Sequence, residues 1–156
     1  MPTLVVVRHA KADRPTGVDD VDRPLLPRGR EQAQVTGEWL RDALGRPGLV
    51  VTSPALRATQ TVDGLLRAWP DDAPTVVQDE SVYEASLGDL LRVVRGLDDD
   101  EDTIVLVGHN PGVSELVSDL IGESVELRTA AAVVLDIPSA WADTAPSAAR
   151  VRARHR

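Results

Sequence analysis

The stretch LVVVRHAKA, Leu4 to Ala12, carries the clearest fold signal in the chain. An unbroken apolar run ends here at Arg8 and His9. Such runs are typical of parallel strands that helices cover on both faces. A second stretch, TIVLVGHNPG (Thr103 to Gly112), repeats the arrangement of an apolar run followed by a histidine. The two stretches predict two buried strands of one sheet, each ending at a histidine.

Short apolar runs alternate with segments of helical periodicity along the whole chain, which indicates an α/β fold with a mostly parallel sheet. The predicted strands are Leu4–Val7, Leu49–Val51, Thr75–Val77, Thr103–Val107 and Ala131–Ile137. Four helices are predicted. Three of them are Gly29–Leu44, Ser86–Leu97 and Pro111–Ile121. The fourth follows the second strand, with Ser53 as its cap and Pro54 in its first turn. No repeat or linker interrupts this pattern, so we expect a single three-layer α/β/α domain over residues 1–156.

Composition excludes several classes of function. The 156 residues suit one domain, and 42% hydrophobic with 27% charged residues is typical of a soluble globular protein. The absence of cysteine excludes disulfides and thiolate chemistry, and it fits a cytoplasmic protein. No apolar run is long enough for a membrane span, and the N-terminus lacks a signal pattern. A net charge of −8 argues against binding to nucleic acid or anionic membranes.

The C-terminal residues ARVRARHR form a local exception to the acidic balance. Arg150, Arg152, Arg154 and Arg156 alternate with other residues, and no acid lies among them. This alternation predicts an edge strand with its arginines facing solvent, or a frayed tail. A basic docking patch is the alternative.

Basic side chains follow three of the predicted strands. Arg8 and His9 follow the first strand, Arg57 lies at the start of the helix after the second, and His109 and Asn110 follow the fourth. Ligands of open α/β sheets bind at the carboxyl ends of the strands. We therefore expect these side chains to surround one site.

The residue types at this site suit a phosphoryl group. Arg8 and Arg57 can supply bidentate guanidinium donors, and an imidazole nitrogen of His9 can attack phosphorus to give a covalent intermediate. The neighbouring arginines should keep His9 neutral, and His109 is expected to act as a cationic clamp. A cation would be repelled by this set, so we expect neither a metal nor another cofactor.

Five blocks of sequence together resemble a known family. They are, in order, VVRHAKA, RPLLPRGREQA, VTSPALRATQT, VYEAS and VGHNPG. They resemble the histidine phosphatase (phosphoglycerate-mutase-like) superfamily, and more closely its short bacterial phosphohistidine phosphatase branch, over about Met1 to Leu120. One position departs from the commonest pattern, since Ala10 follows His9 where the superfamily usually has glycine.

The resemblance implies a phosphoglycerate-mutase-like fold and a metal-independent hydrolase that forms a phosphohistidine intermediate on His9. Arg8, Arg57 and His109 would hold the phosphoryl group. Glu84, in VYEAS, stands where the family commonly places an acid near the leaving group. Arg23, in DRPLLP, matches an arginine of the short branch that would add a phosphate contact, and Asn110 is the remaining predicted substrate contact.

The resemblance also bears on the substrate. Larger members insert long segments that cover the site, whereas the interval from Asp79 to Thr103 leaves room for one short helix and for no large cap. An open cleft would admit a phosphorylated side chain of another protein. The leading hypothesis is therefore a protein phosphohistidine phosphatase of signal transduction. The alternatives are a hydrolase for small phosphate esters and an inactive phosphate- or phosphohistidine-binding module.

Overall fold

Six strands form one mixed sheet in the computed structural model, which describes residues 1–156. The strands are β1 (Thr3–Arg8), β2 (Leu49–Thr52), β3 (Thr75–Gln78), β4 (Thr103–Gly108), β5 (Ala132–Asp136) and β6 (Arg150–His155). Their order across the sheet is β3-β2-β4-β1-β5-β6. The first four are parallel to one another, whereas β5 is antiparallel to β1 and β6 to β5. The prediction of an α/β fold with a mostly parallel sheet is confirmed.

Helices cover both faces of the sheet. They are α1 (Pro27–Leu44), α2 (Leu56–Leu66), α3 (Leu87–Arg95) and α4 (Gly112–Ile121). Alternate residues of β1 enter different cores, since Leu4 packs in the cluster with α3 and α4 while Val5 packs in the cluster with α1 and α2. This burial on both faces explains the unbroken apolar run of β1 and confirms the three layers. None of the helices combines the length and the apolarity that a membrane span requires.

Two local predictions are wrong. The helix α2 begins at Leu56 with Ala55 as its N-cap, so Ser53 does not cap it. The hydroxyl of Ser53 instead lies 2.8 Å from Nε2 of His109. The strand β3 is exposed along its whole length, although its apolar run predicts burial. Its place at the edge of the sheet leaves it without a neighbouring strand on one side.

The C-terminal residues form the edge strand that their alternation predicts. Along β6 the arginines are exposed, while Val151, Ala153 and His155 are half-buried against β5. The ring of His155 stacks on Trp39 with ring centroids 5.2 Å apart. These contacts fix the strand, so the alternative of a frayed tail is wrong.

The helices α1 and α2 approach each other so closely that glycine is required at the contact. A Cβ atom on Gly37 would lie 2.5 Å from the backbone oxygen of Leu65. A Cβ atom on Gly64 would lie equally close to Ala33. Since α2 also carries Arg57, this contact sets the position of one predicted site residue relative to the sheet.

The substitution Gly37→Ala is expected to lower the free energy of unfolding by about 1–3 kcal/mol, because the new methyl group must push α1 and α2 apart. Urea denaturation measures the change. Gly88→Ala is the matched control, since the nearest atom to its new Cβ is 3.8 Å away. That variant should be as stable as the wild type or more stable, since alanine favours helix. Equal stability of the Gly37 variant and the wild type would contradict the close contact.

Candidate active site

The register between β1 and β4 brings the two predicted histidines together. Arg8 pairs with Gly108, and the backbone N–H of His9 donates to the Gly108 carbonyl at 3.0 Å. The rings of His9 and His109 therefore lie side by side, with centroids 5.1 Å apart. On the other side of β4, the backbone N–H of Ser53 donates to Val107 at 3.1 Å, which brings the end of β2 to the same place.

A cavity of about 240 Å³ opens at this edge of the sheet. Its cationic lining residues are Arg8, Lys11, Arg14, Arg23 and Arg57, and no acidic residue lines it. His9, His109 and Asn110 line it as well. The structure thus brings together every predicted site residue except Glu84. Lys11 and Arg14, which the sequence analysis did not assign to the site, add two further positive charges.

The imidazole of His9 is held in a defined tautomer. Its Nδ1 lies 2.8 Å from the backbone oxygen of Ala10, and a carbonyl can only accept, so Nδ1 carries the proton. The lone pair is therefore left on Nε2. The pKa of His9 is lowered to about 4, chiefly by burial and also by the charges of Arg57 and Arg8, whereas the bond to Ala10 acts in the opposite direction. His9 is neutral as expected, but burial rather than the arginines is the largest cause.

The imidazole of His109 is neutral in the protein as described. Its Nε2 lies 2.8 Å from Oγ of Ser53, and the ring meets the Tyr83 ring edge-on at 5.6 Å. Burial, with further contributions from His9 and Arg57, lowers its pKa to about 3. The expected role of His109 as a cationic clamp on a phosphoryl group stays a prediction, since a nearby anion favours the protonated ring.

An aspartate that the sequence analysis did not find organises the arginines. Arg57 donates two hydrogen bonds to Asp20: Nη1 donates to the Asp20 backbone oxygen at 2.7 Å, and Nη2 donates to Oδ2 at 3.0 Å. Arg23 donates to its Oδ1 at 3.2 Å, and the Tyr83 hydroxyl donates to Oδ2 at 2.6 Å. The bond from Tyr83 and the two guanidiniums hold the pKa of Asp20 well below its usual value. The same bond raises the pKa of Tyr83 to about 12.

Sequence offered only a weak signal for these two residues. Asp20 lies three positions before Arg23, on a short 3-10 helix, and Tyr83 precedes the predicted Glu84. The residues next to Asp20 and Tyr83 in sequence do not indicate that these two side chains, 63 residues apart, form a hydrogen bond. The contact depends on the packing of two loops, which local patterns do not encode.

Arg8 and Asn110 share one carbonyl in the segment before β5. Nη1 of Arg8 and Nδ2 of Asn110 donate to the Leu127 oxygen at 3.1 and 2.9 Å. Oδ1 of Asn110 accepts from the Ser114 hydroxyl at 2.6 Å. Both ends of the Asn110 amide are therefore engaged within the protein. In this structure Asn110 positions the segment that holds Arg8, and its predicted contact with substrate stays a prediction.

Glu84 lies outside the cavity lining, on the loop between β3 and α3. Its side chain is exposed, and its backbone is in the left-handed region with a φ of 52°. Such a conformation costs a residue with a side chain about 1–3 kcal/mol. The preceding residue, Tyr83, contacts His109, so Glu84 stands close to the mouth of the cavity. Its role as an acid stays a prediction.

Three buried nitrogen atoms beside the cavity have no hydrogen-bond partner within the protein. They are Nε of Arg8, Nε of Arg57 and Nδ1 of His109. Unpartnered buried polar groups each cost about 1–3 kcal/mol, so these three lower the stability of the folded chain beside the cavity. A tetrahedral oxyanion in the cavity would be attracted by the five cationic side chains that line it. No group of three or more metal-ligating side chains occurs in the structure.

Comparisons with known proteins agree on one family. The family model of the histidine phosphatase superfamily (branch 1) matches residues 4–94. Two solved structures provisionally assigned as the phosphohistidine phosphatase SixA are similar to the whole chain. The structure from Nakamurella multipartitia has a TM-score of 0.85 at 28% identity and covers 99% of this chain and 95% of its own. That from Agrobacterium tumefaciens has a TM-score of 0.86 at 25% identity, with coverages of 100% and 99%.

A relative among curated sequences is similar over nearly its full length. The uncharacterized protein Rv1276c of Mycobacterium tuberculosis is 34% identical over 162 residues, which is 96% of this chain and 98% of the relative. The similarity to this relative therefore extends beyond the residues 4–94 that the family model matches.

The free energy of unfolding is expected to fall between pH 7 and pH 5. Unfolded histidines protonate near pH 6.5, whereas the pKa values of about 4 for His9 and about 3 for His109 keep both rings neutral in the folded protein. The unfolded chain then binds more protons, so each histidine removes about 2 kcal/mol over this range. Urea denaturation at both pH values measures the loss, which His9→Asn should reduce by about half. The same loss in wild type and variant would contradict the buried neutral imidazole. His155→Asn is the comparison: burial also lowers the pKa of this less buried ring, so its removal should reduce the loss by a smaller amount.

Proposed function

This chain belongs to the histidine phosphatase superfamily, branch 1, and from that premise we propose that it removes the phosphoryl group from phosphohistidine on a protein. Family membership supports phosphatase activity in general. The observation that carries the proposal is the cavity beside His9, which five cationic side chains and no acidic side chain line. The two structures assigned as SixA support phosphohistidine as the substrate class.

His9 is the proposed nucleophile. Its Nδ1 proton is committed to Ala10, and burial keeps the ring neutral, so the lone pair of Nε2 is available at physiological pH. Nε2 forms a bond to phosphorus while the bond from phosphorus to the leaving nitrogen breaks. The leaving ring, which carries a proton on its other nitrogen, takes that electron pair and departs as neutral imidazole. Water then attacks the phosphohistidine, which releases inorganic phosphate and restores His9.

Arg8, Arg57 and His109 are the proposed ligands of the phosphoryl oxygens, with Arg23 as a further contact. The two arginines line the cavity beside His9, where their guanidiniums can form charge-assisted hydrogen bonds with phosphoryl oxygens. A dianionic phosphoryl group beside His109 would raise its pKa, since a nearby opposite charge favours the protonated ring. The clamp expected from the sequence would then form on substrate binding.

The leaving group is expected to need little help from the protein when it is an imidazole. Glu84, near the mouth of the cavity, is the proposed acid for leaving groups that require a proton. Its exposed position fits a group that acts at the boundary between the cavity and the displayed substrate. Asn110 supports this site indirectly, through the Leu127 carbonyl that also holds Arg8.

The shape of the site favours a substrate that another protein displays. The cavity of about 240 Å³ accommodates a phosphoryl group but is smaller than the pockets of about 300–1,000 Å³ that enclose small-molecule ligands. Between β3 and β4 the chain forms only a short 3-10 helix, Glu80–Val82, and α3, so no inserted segment covers the site. We include in the proposal a role in cytoplasmic signal transduction, consistent with a chain that contains no cysteine.

The substitution His9→Ala should abolish both turnover and the trapping of a covalent phosphoenzyme, because no other residue supplies the attacking nitrogen. The adduct is measured as radiolabelled phosphate bound to protein that is stable to alkali and lost in acid. His155→Ala is the control, since His155 stacks on Trp39 and lies outside the cavity lining. Acid-labile labelling that persists in the His9 variant would exclude His9 as the nucleophile.

A panel of substrates separates the proposed function from its alternatives. Turnover should be fastest with a phosphohistidine protein and much slower with sugar phosphates and nucleotides, because the shallow cavity makes few contacts with a small leaving group. Chelators should have no effect, since the proposed step uses only protein side chains. Turnover of small esters alone would favour the ester hydrolase, and phosphate binding without any turnover would favour an inactive module. Inhibition by chelators that added metal reverses would contradict the metal-independent mechanism.

A further inference from the structure

A second basic surface lies beside the catalytic cavity, and the proposed reaction does not use it. It consists of Arg28, Arg128, Arg154 and Arg156, which we term the arginine rim. All four side chains are exposed, and none takes part in an ion pair. They border two adjoining cavities of about 450 and 570 Å³, in which Glu31 and Glu126 are the acidic lining residues. The rim is therefore a local excess of unpaired positive charge on a chain of net charge −8.

The strand register places the rim close to the catalytic residues. The N–H of Arg8 donates to the Ala131 carbonyl at 3.1 Å, and the next residue, Ala132, pairs with His155. Arg156 therefore lies level with Arg8, two strands across the sheet. Because neighbouring strands are about 4.8 Å apart, the backbones of Arg8 and Arg156 are about 10 Å apart. Thr129 lines both the catalytic cavity and the larger rim cavity, so the two cavities adjoin at this residue.

The segment that carries Arg128 is anchored on both sides by the catalytic residues. Before it, the Leu127 carbonyl accepts from Arg8 and Asn110. After it, the N–H of Ala130 donates to the carbonyls of Arg8 and His9 at 3.0 and 3.1 Å. The Ala130 carbonyl also accepts from Thr36 at 2.8 Å. The backbone of Arg128 is thus fixed relative to the nucleophile, so binding does not have to order this segment of the chain.

We propose that the arginine rim binds an acidic segment of the same protein that presents the phosphohistidine, an inference that rests on the proposed function. Carboxylates form bidentate bonds with unpaired guanidiniums, and such complementarity raises association rates and fixes orientation. The remainder of the chain is acidic and repels the same segment, which leaves this face as the preferred approach. Since an extended chain advances about 3.3 Å per residue, the acidic residues stand three or four positions from the phosphohistidine.

Paired synthetic peptides test this inference. Each peptide contains one histidine, which is phosphorylated chemically with phosphoramidate. The first peptide has glutamates three and four positions from this histidine on both sides. The second peptide has glutamines at the same four positions. At low ionic strength the wild type should show a kcat/KM at least about tenfold higher for the glutamate peptide. Added salt should reduce this preference, because it screens exposed charges.

Charge-reversal variants locate the effect. Arg128→Glu combined with Arg156→Glu should abolish the preference for the glutamate peptide and leave kcat/KM for the glutamine peptide unchanged, which also reports that the variant is folded. The matched control is Arg41→Glu combined with Arg67→Glu. These residues end α1 and α2 at the opposite edge of the sheet, and the net charge changes by the same amount. The control should retain the preference.

The outcomes separate this inference from the proposed function. Equal hydrolysis of both peptides by the wild type, or an unchanged preference in the rim variant, would overturn the role of the rim and leave the phosphatase proposal standing. No hydrolysis of either peptide by the wild type would overturn the proposed function and this inference with it. Loss of the preference in the Arg41 and Arg67 control would assign it to net charge and would also overturn the role of the rim.

Discussion

The parallel pairing of β1 with β4 is the constraint on which the site depends. Because Arg8 lies opposite Gly108, the residues that follow them are adjacent, and two histidines a hundred positions apart in sequence come within contact. Gly108 itself has no room for a side chain, since a Cβ atom there would lie 2.9 Å from Val113. The strand end can therefore be covered closely by α4.

Desolvation and positive charge act together on the protonation of the site. Burial is the largest cause of the lowered pKa of both His9 and His109, and the guanidiniums add to it. Asp20 offsets part of this charge from the solvent side: its carboxylate is half exposed, whereas the side chain of Arg57 is only 8% exposed. An ion pair with one exposed partner contributes little to stability, so its effect is to orient the guanidinium. The result is a cavity with neutral imidazoles and oriented cations.

The segment from Leu127 to Ala130 links the chemistry to the outer surface. It receives hydrogen bonds from Arg8 and Asn110 at one end and donates one toward His9 at the other. The same segment presents Arg128 to solvent, beside the last residue of the edge strand. Catalytic geometry and the distribution of surface charge are therefore set by one short connection, although the chain as a whole is strongly acidic.

The α/β class, most of the strands and the side chains that gather at their carboxyl ends could be predicted from the order of residues alone. This was possible because apolar runs indicate burial and because the carboxyl ends of parallel strands lie at the same edge of a sheet. Three features needed the folded chain: β3 is exposed, Ser53 contacts His109 rather than capping α2, and His109 is neutral. Asp20 and Tyr83 likewise became visible only there. Strand order, loop packing and desolvation arise from contacts between residues far apart in the chain, and no local pattern of residues records them.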